Sequence, residues 1–332
     1  MTPCPRLAHN VRLTNAGQFG ICGHMVASKN FSTLDELKNS QWLTDLHEKF
    51  KMDVWPEECV RCQEMEHMGN SSIREFSMKA HQDYHALDPN YMFVTGLLDN
   101  VCNAACVMCS NYASTYIGKL VKNVVLVDNQ DLFHQLPIDK ILVFEITGGE
   151  PSVSNLYKKS LKSLTNKTKY VRVNTNGSKF IPEIEPLLIN GTNVTITLSI
   201  DGTHNVFEYI RWPLKWDNVL EVINQYLQLR IKYQNLKLDI WSSISALNIG
   251  DFTNIKKFSE QYDIPMSYAL VHDPDVLNIK YQNRFTKSAA SDTLGTLGLL
   301  AVDQNNDALI DEFIRVQDNI KKININDFIT LP

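Results

Sequence analysis

A regular alternation of short β-branched runs with amphipathic segments, from residue 92 to residue 271, constrains the fold of this chain more than any other feature. Such alternation is typical of successive parallel βα units. The six predicted strands are residues 92–98, 141–147, 170–174, 193–200, 236–244 and 265–271, and the helices predicted between them are residues 111–122, 153–164, 182–190, 216–232 and 249–262. The pattern predicts an α/β fold, either a partial barrel or an open doubly wound sheet.

The composition excludes several classes of protein. The 332 residues carry 32 Lys and Arg against 37 Asp and Glu, so the formal net charge is −5. No stretch approaches the roughly 18 uncharged apolar residues of a membrane span, and the first residues lack a signal-peptide profile. We therefore expect a cytoplasmic protein with no membrane contact. The acidic balance also disfavours a nucleic-acid partner, although a short local contact with RNA stays open.

All seven cysteines lie within the first 109 residues. A disulfide framework is not expected in a reducing compartment, so they are core residues, nucleophiles or metal ligands. Cys102, Cys106 and Cys109 read C-x3-C-x2-C straight after the first predicted strand. Three thiolates on a short loop suit an iron–sulfur cluster in which one of the four irons lacks a protein ligand. The alternatives are zinc, which would want a fourth ligand, and buried free thiols.

The second predicted strand ends in Gly148, Gly149, Glu150 and Pro151. Two glycines allow a backbone to approach a ligand closely, and the Glu and Pro that follow favour a turn. Together with the cysteine triplet, this motif resembles the radical S-adenosylmethionine (SAM) superfamily. The resemblance implies that the triplet holds a [4Fe-4S] cluster and that this strand end binds the methionine amino group of SAM. It also implies that the strands form a partial (β/α)6 TIM-like barrel.

The same resemblance implies further contacts with SAM near the carboxyl ends of the barrel strands. The residues concerned are Met108, Asn176, Ser199, Arg211 and Asn248. Ser199 matches a position that hydrogen-bonds SAM, and Arg211 matches an arginine that pairs with the SAM carboxylate. Met108 stands where many members have an aromatic residue beside the adenine. From the residues alone, Arg211 could instead be a surface charge, Ser199 a buried hydroxyl and Asn248 a cap.

Four cysteines precede the predicted barrel: Cys4, Cys22, Cys59 and Cys62. Residues 11–22 read as a β-hairpin that brings the first two together, a helix is predicted over residues 32–49 with Ser32 as its N-cap, and the C-x2-C pair opens another helix. The arrangement resembles the twitch domain, a shortened SPASM domain, in its N-terminal form. The resemblance implies an auxiliary [4Fe-4S] cluster, and a structural zinc site is the alternative for these thiols.

Cluster ligation would use all seven cysteines and leave no thiol to donate a hydrogen atom to a substrate radical. A closed auxiliary cluster can accept an electron. These two points favour net oxidation of the substrate, by dehydrogenation or cross-linking, after a 5'-deoxyadenosyl radical made from SAM removes hydrogen. Glu145, Asp201 and His272 are the candidate catalytic residues, as proton acceptors. For Glu145, a paired structural carboxylate is the alternative interpretation.

The sequence therefore predicts three parts: an N-terminal α+β iron–sulfur domain at residues 1–85, a radical SAM partial barrel at residues 86–280 and a C-terminal helical extension at residues 281–332. The expected substrate is a peptide or a small polar molecule, and the expected electron donor is a reductant such as flavodoxin or ferredoxin. Two other functions stay open, a non-catalytic iron–sulfur or zinc redox protein and an RNA-modifying radical SAM enzyme.

Overall fold

Eight strands form one continuous sheet in the computed structural model, which describes residues 4–80, 90–288, 293, 297 and 302–329. The strands are β1 (Asn10–Leu13), β2 (Phe19–Gly20), β3 (Met92–Leu97), β4 (Ile141–Thr147), β5 (Tyr170–Thr175), β6 (Asn193–Ser199), β7 (Leu236–Ile244) and β8 (Met266–Leu270). Their order is β2-β1-β3-β4-β5-β6-β7-β8, and every pair in it is parallel except β2 with β1. The sequential parallel run from β3 to β8 confirms the predicted α/β class and agrees with a partial TIM-like barrel.

The N-terminal module, residues 4–80, joins this sheet through β1. Its helices are α1 (Pro5–His9), α2 (Leu34–Lys38), α3 (Gln41–Lys51), α4 (Val60–His67) and α5 (Ile73–Ala80). β1 and β2 form the predicted hairpin, and β1 also pairs in parallel with β3. Gly96 makes this close approach possible, since a Cβ there would lie 2.1 Å from the carbonyl oxygen of Leu13. The module is therefore attached to the barrel by a backbone ladder.

The prediction of one helix over residues 32–49 is wrong, because α2 and α3 are separate helices. Thr33, rather than Ser32, caps α2 in a capping box with Glu36. The Ser40 side chain accepts a hydrogen bond from the backbone N–H of Leu43 and caps α3. Two capping hydroxyls in one stretch thus start two helices.

The strands of the barrel bury one face and turn a more polar face the other way. In β6, Val194, Ile196 and Leu198 are buried in the main hydrophobic core. Because side chains alternate along a strand, Thr195 and Thr197 point to the opposite face. This alternation gives the sheet an apolar side for helices and a polar side for a site.

Helices connect the strands and pack on the apolar side. They are α6 (Thr115–Leu120), α7 (Gln130–His134), α8 (Asn155–Ser163), α9 (Ile184–Ile189), α10 (His204–Ile210), α11 (Trp216–Lys232) and α12 (Phe252–Gln261). α11 has the predicted bounds, whereas α6 begins later than predicted because Ser114 accepts a hydrogen bond from Ile117 N and caps it.

The C-terminal part forms a second core against the barrel. Its elements are β9 (Tyr281–Gln282), α13 (Arg284–Ser288), β10 (Val302–Asn305) and α14 (Asp307–Lys321), and β9 pairs in parallel with β10. Ile310 and Ile314 of α14 are buried together with Val107 and Ile210. α14 is a helix within the predicted C-terminal helical extension of residues 281–332, and residues 289–292, 294–296, 298–301 and 330–332 of that extension lie outside the described residues.

None of the helices in the described ranges is both long and apolar enough to cross a membrane.

Candidate functional site

The cysteine loop, residues 102–109, follows β3 and is anchored on two sides. Val107 N donates to the carbonyl oxygen of Ile210, the last residue of α10, at 2.9 Å. On the other side, Ser114 Oγ donates to the carbonyl oxygen of Ala104 at 2.8 Å. These contacts hold the loop at the carboxyl end of the first barrel strand, which is the end where barrel enzymes carry their chemistry.

The three thiols of the loop influence one another electrostatically. Cys102 and Cys106 are half-buried, and Cys109 is exposed. Burial, and secondarily the neighbouring Cys106, raise the pKa of Cys102 to about 11. Metal binding deprotonates such thiols, and thiolates are the ligands of iron–sulfur clusters. The donor set therefore fits a [4Fe-4S] cluster held by these three cysteines.

The glycine turn, residues 148–151, lies against the cysteine loop. Gly148 and Gly149 have φ angles of +86° and +58°. A Cβ at Gly148 would lie 1.7 Å from Leu97 Cδ1, and a Cβ at Gly149 would lie 2.7 Å from the carbonyl oxygen of Val101. Glycine is thus required at both positions by backbone angle and by space. The two remaining residues of the turn are both buried: Glu150 and Pro151.

A hydrogen-bond network joins the glycine turn to the end of β5 and to the cysteine loop. The Glu150 carboxylate accepts from Ser152 N at 2.9 Å, from Thr175 Oγ1 at 2.7 Å and from Asn176 N at 2.7 Å. The Asn176 side chain donates to Asn103 Oδ1 at 2.9 Å. Because protein donors surround the Glu150 carboxylate, the backbone of the turn is the part left to face a ligand.

Asp201 and Arg211 form a buried ion pair beside the cysteine loop. Arg211 Nη2 lies 2.6 Å from Asp201 Oδ2, and Ser243 N donates to Asp201 Oδ1 at 2.7 Å. Arg211 Nη1 lies 3.9 Å from Cys106 Sγ. Arg211 Nε is buried and has no hydrogen-bond acceptor among the described residues. That unused donor fits the predicted pairing of Arg211 with the SAM carboxylate, while Asp201 holds the guanidinium in place.

The other predicted SAM contacts differ in how available their side chains are. Ser199, at the end of β6, is half-buried and lines the largest cavity at the site. Asn248 is buried, and its amide donates to two backbone carbonyl groups and accepts two hydrogen bonds from Ser245. Met108 is half-buried against the C-terminal core. Ser199 is thus open to a ligand, whereas the Asn248 amide is engaged with the preceding turn and makes no side-chain capping hydrogen bond to the helix that follows.

Lys321, at the end of α14, approaches the same loop and was not predicted from the sequence. It is 4% exposed, and its Nζ makes no hydrogen bond within the described residues. The ammonium group lies 5.5 Å from the ring centroid of Tyr209. Burial lowers the pKa of Lys321 to about 8, against the opposing influence of Cys106 and Asp318. A buried cation therefore stands near a predicted cluster ligand.

The four N-terminal cysteines line one small cavity in the module: Cys4, Cys22, Cys59 and Cys62. Val26 N donates to the carbonyl oxygen of Glu58 at 2.9 Å, which ties the segment after β2 to the turn that carries Cys59. No group of three or more His, Cys, Asp or Glu side chains in the described part of the chain is placed to hold a single metal ion. A [4Fe-4S] cluster distributes its ligands over four irons, so a wider ring of thiols suits it.

The central cavity, 720 Å³ in volume, lies between the polar face of the barrel and the N-terminal module. Glu145 and Arg172 are in its wall, with Arg172 Nε 3.6 Å from Glu145 Oε1. Arg172 Nη1 also lies 2.9 Å from Asp239 Oδ2. Glu145 therefore lines the cavity and is ion-paired, so it combines both interpretations that the sequence left open.

The structure does not bring the three candidate catalytic residues together. Glu145 lines the central cavity, and Asp201 is fully buried in its ion pair. His272 follows β8, is exposed, and has its Nδ1 3.3 Å from Asn278 Nδ2. Among the three, Glu145 is the one that a substrate in the cavity can touch.

Sequence reasoning missed several residues that line this cavity: Arg6, Arg12, Arg172 and Trp241. The alternation of side chains along a strand is a signal that could have identified Arg172 and Trp241. Arg172 lies two residues before Asn174 in β5, and Trp241 shares one face of β7 with Lys237 and Asp239. Arg6 and Arg12 carry no such signal, because they reach the cavity only through the pairing of β1 with β3.

Comparison with known proteins found similar solved structures and a matching protein-family model. No match was found among curated proteins. Among solved structures, the chain is similar to native anSMEcpe with bound AdoMet, at 16% identity and a TM-score of 0.39, over 54% of this chain and 52% of that one. It is also similar to Streptococcus suis SuiB bound to the precursor peptide SuiA, at 12% identity and a TM-score of 0.43, over 89% of this chain and 70% of that one. The chain spans about half the length of the first of these structures.

The second kind of match is to a protein family. It covers residues 98–241, a segment that contains the cysteine loop, the glycine turn and Arg211. The family model that matches this segment is that of the Radical SAM superfamily.

Proposed function

We propose that this chain is a radical SAM enzyme that oxidises a peptide or a small polar substrate in the central cavity. The observation that carries the proposal is the network from Glu150 through Asn176 to Asn103, which fixes the glycine turn and the cysteine loop as one unit. Radical SAM domains use a [4Fe-4S] cluster and SAM. A protein that only transferred electrons would have no need for an amino-acid site beside its cluster.

Three of the predicted contacts with SAM have a group on this chain that can make them: Arg211, the glycine turn and Ser199. A cluster bound to Cys102, Cys106 and Cys109 would keep one iron free for SAM and, when reduced, would supply the electron for its cleavage to a 5'-deoxyadenosyl radical. Arg211 Nε would donate to the SAM carboxylate, with Asp201 fixing the guanidinium. The backbone of the glycine turn would receive the amino group, and Ser199 would hydrogen-bond SAM from the cavity wall.

Net oxidation of the substrate follows from what the chain supplies after hydrogen abstraction. The substrate loses a hydrogen atom to the radical, then a proton to a base and an electron to an acceptor. Glu145 is the base we propose, because its carboxylate lines the cavity, where it lies 3.6 Å from Arg172. An auxiliary cluster at the four N-terminal cysteines is the acceptor we propose, and no cysteine is then left to return a hydrogen atom.

The proposal keeps the predicted three-part organisation at residues 1–85, 86–280 and 281–332, a cytoplasmic location, and a flavodoxin or ferredoxin as reductant. At the four N-terminal cysteines, the proposed cofactor is an iron–sulfur cluster and not the zinc ion considered as its alternative. A zinc ion would require all four sulfurs about 2.3 Å from one point. No group of three or more His, Cys, Asp or Glu side chains among the described residues is placed to hold a single ion.

The test is anaerobic reconstitution followed by metal analysis and SAM turnover with a chemical reductant. We expect about eight irons per chain and release of 5'-deoxyadenosine. Cys106→Ala should abolish this release, whereas its matched control Cys59→Ala should lower the iron content and keep the release. A reconstituted protein that binds iron at the triplet but never releases 5'-deoxyadenosine would refute the enzyme proposal. About four irons with one zinc would refute the auxiliary cluster alone.

A further inference from the structure

The wall of the central cavity carries an excess of positive charge. Three arginines line it, Arg6, Arg12 and Arg172, against a single carboxylate, Glu145. Arg172 is compensated, since it pairs with Glu145 and with Asp239 outside the wall. The remaining excess is a local feature, because the whole chain has a net charge of −5.

Arg6 and Arg12 make no ion pair with any of the described residues. Arg6 Nε donates to Ser77 Oγ at 2.7 Å, and Arg6 lines both the central cavity and the small cavity of the four N-terminal cysteines. A Cβ added at Gly23 would lie 3.1 Å from Arg12 Nε and 3.4 Å from its Cζ, so the Arg12 guanidinium packs on the bare backbone of Gly23. Both arginines are half-buried. A half-buried guanidinium without a carboxylate is well suited to receive an anion from outside.

The sheet register places Arg12 in one row with the polar side chains of the barrel. Arg12 is opposite Thr95, Thr95 is opposite Glu145, and Glu145 is opposite Arg172. Neighbouring strands in a sheet lie about 4.8 Å apart, so Arg12 stands two strands from Glu145 and too far away to be its direct partner in the row. Arg12 is thus the uncompensated end of a charged row that points into the cavity.

The shape and lining of the site favour a peptide over a small metabolite. The cavity of 720 Å³ shares His24, Ile73 and Phe76 with an adjoining surface groove of 520 Å³, so an extended ligand can run from one into the other. Met65 and Met68, both exposed, line that groove and can adapt to different apolar side chains. SAM bound through Ser199 would fill part of the cavity, and the groove that continues from it gives an extended second ligand room to bind.

We propose that the substrate is a peptide that carries a carboxylate, and that Arg6 and Arg12 bind this carboxylate while neighbouring residues of the peptide occupy the groove. The proposal rests on the proposed function and narrows its substrate class. The carboxylate could belong to an Asp or Glu side chain or to the peptide's C-terminus, and the chemistry of recognition is the same in both cases.

Binding can be measured on the reconstituted protein without SAM or reductant, so the result does not depend on catalysis. The probes are pools of random N-acetylated decapeptides in which one central residue is fixed as Asp, Glu, Gln or Lys, each made as the C-terminal amide and as the free acid. Retention on immobilised protein is read by mass spectrometry. We expect roughly tenfold enrichment of the acidic amide pools over the Gln and Lys pools, or of free-acid over amide pools, and these two results identify a side-chain or a terminal carboxylate.

Variants assign the effect to the arginines. Arg12→Gln and Arg6→Gln should each reduce the enrichment to about twofold or less, and Arg12→Lys should keep part of it because the charge is retained. Arg315→Gln is the matched control, since Arg315 is exposed on α14 and lines neither the cavity nor the groove, and it should leave the enrichment unchanged. Equal iron content of all variants checks that each is folded.

Three outcomes would overturn the proposal. They are equal retention of all pools, acidic preference that survives Arg12→Gln and Arg6→Gln, and stronger Arg12-dependent retention of a single-stranded RNA dodecamer than of the acidic pools. Release of 5'-deoxyadenosine by the unmodified protein is measured separately. If the protein releases 5'-deoxyadenosine but shows no preference for acidic peptides, the proposed substrate class is wrong and the proposed function stands.

Discussion

Gly148 and Gly191 both adopt positive φ angles, +86° and +82°, but only Gly148 is also short of space. A Cβ at Gly148 would overlap Leu97 Cδ1, whereas no atom lies within 4 Å of a Cβ added at Gly191. Comparing the two positions therefore separates the cost of the backbone angle from the cost of collision with β3.

We expect Gly148→Ala to lower the free energy of unfolding by about 2–5 kcal/mol, because strain in the left-handed region adds to overpacking. Gly191→Ala should cost only the strain, about 1–2 kcal/mol. Urea denaturation of both variants measures the difference. Gly148→Ala should also impair SAM cleavage at temperatures where it remains folded. Equal losses of stability at the two positions would show that β3 yields to the extra methyl group.

The ion pair of Asp201 with Arg211 gives a second prediction at the scale of residues. Asp201→Asn leaves Arg211 buried without a counter-charge, and losing one partner of a buried pair costs about 3–5 kcal/mol. Chemical denaturation checks this value. The matched control is Glu48→Gln, which removes the partner of Lys51 on the exposed surface and should change the stability little. A loss no larger than that of the control would mean that water reaches the guanidinium.

Residues whose role is local in the chain could be predicted, and residues whose role depends on distant neighbours could not. The cysteine triplet and the two glycines are short motifs with their own chemistry. The partner of Arg211 could not be predicted, because Asp201 meets it only after β6 and α10 have folded. The contacts of Asn248 could not be predicted either, since its amide hydrogen-bonds backbone groups that come together only in the folded chain.

At the scale of elements, continuous patterns were easier to predict than interrupted ones. β4, β7 and α11 have the predicted bounds, because each is a long apolar or amphipathic run with polar residues on both sides. The stretch predicted as one helix over residues 32–49 contains two competing caps, Thr33 and Ser40, and folds as two helices. Periodicity alone does not reveal such a break.

Helix α14 brings Lys321 to the cysteine loop, and this gives a prediction about electron affinity. A positive charge near an iron–sulfur cluster stabilises its reduced form and raises its reduction potential. We expect Lys321→Met to lower the midpoint potential of the cluster at the triplet, measured by a redox titration followed by electron paramagnetic resonance.

Lys322→Met is the matched control for this measurement. It removes the same charge from the next residue, which is exposed. The control should shift the potential much less than Lys321→Met does. Equal shifts in the two variants would indicate a general effect of net charge and would remove Lys321 from the site.

At the scale of the whole molecule, the N-terminal module is built from short pieces. α1 and α2 have five residues each, and β2 has two. α4, which carries Cys62, contains no fully buried residue. Elements of this size depend on cross-links for stability, and metal binding can supply them.

Removal of the metal should therefore loosen the N-terminal module more than the barrel. We expect hydrogen–deuterium exchange to rise strongly in residues 22–67 after chelation under anaerobic conditions and to change little in β4 to β7. The variant with both Cys59→Ala and Cys62→Ala should exchange rapidly in the module even before chelation. A uniform rise over the whole chain would show instead that the two parts unfold as one.

The pairing of β1 with β3 has a consequence for how such a protein can change during evolution. The boundary predicted at residue 85 divides the chain in sequence but cuts through one sheet in space. Deleting or replacing the first 85 residues would expose the edge of β3 and allow it to pair with strands of other molecules. A substitute would have to bring a strand that fits the gap above Gly96. The segments before and after residue 85 are therefore expected to stay together in evolution and not to be exchanged as independent domains.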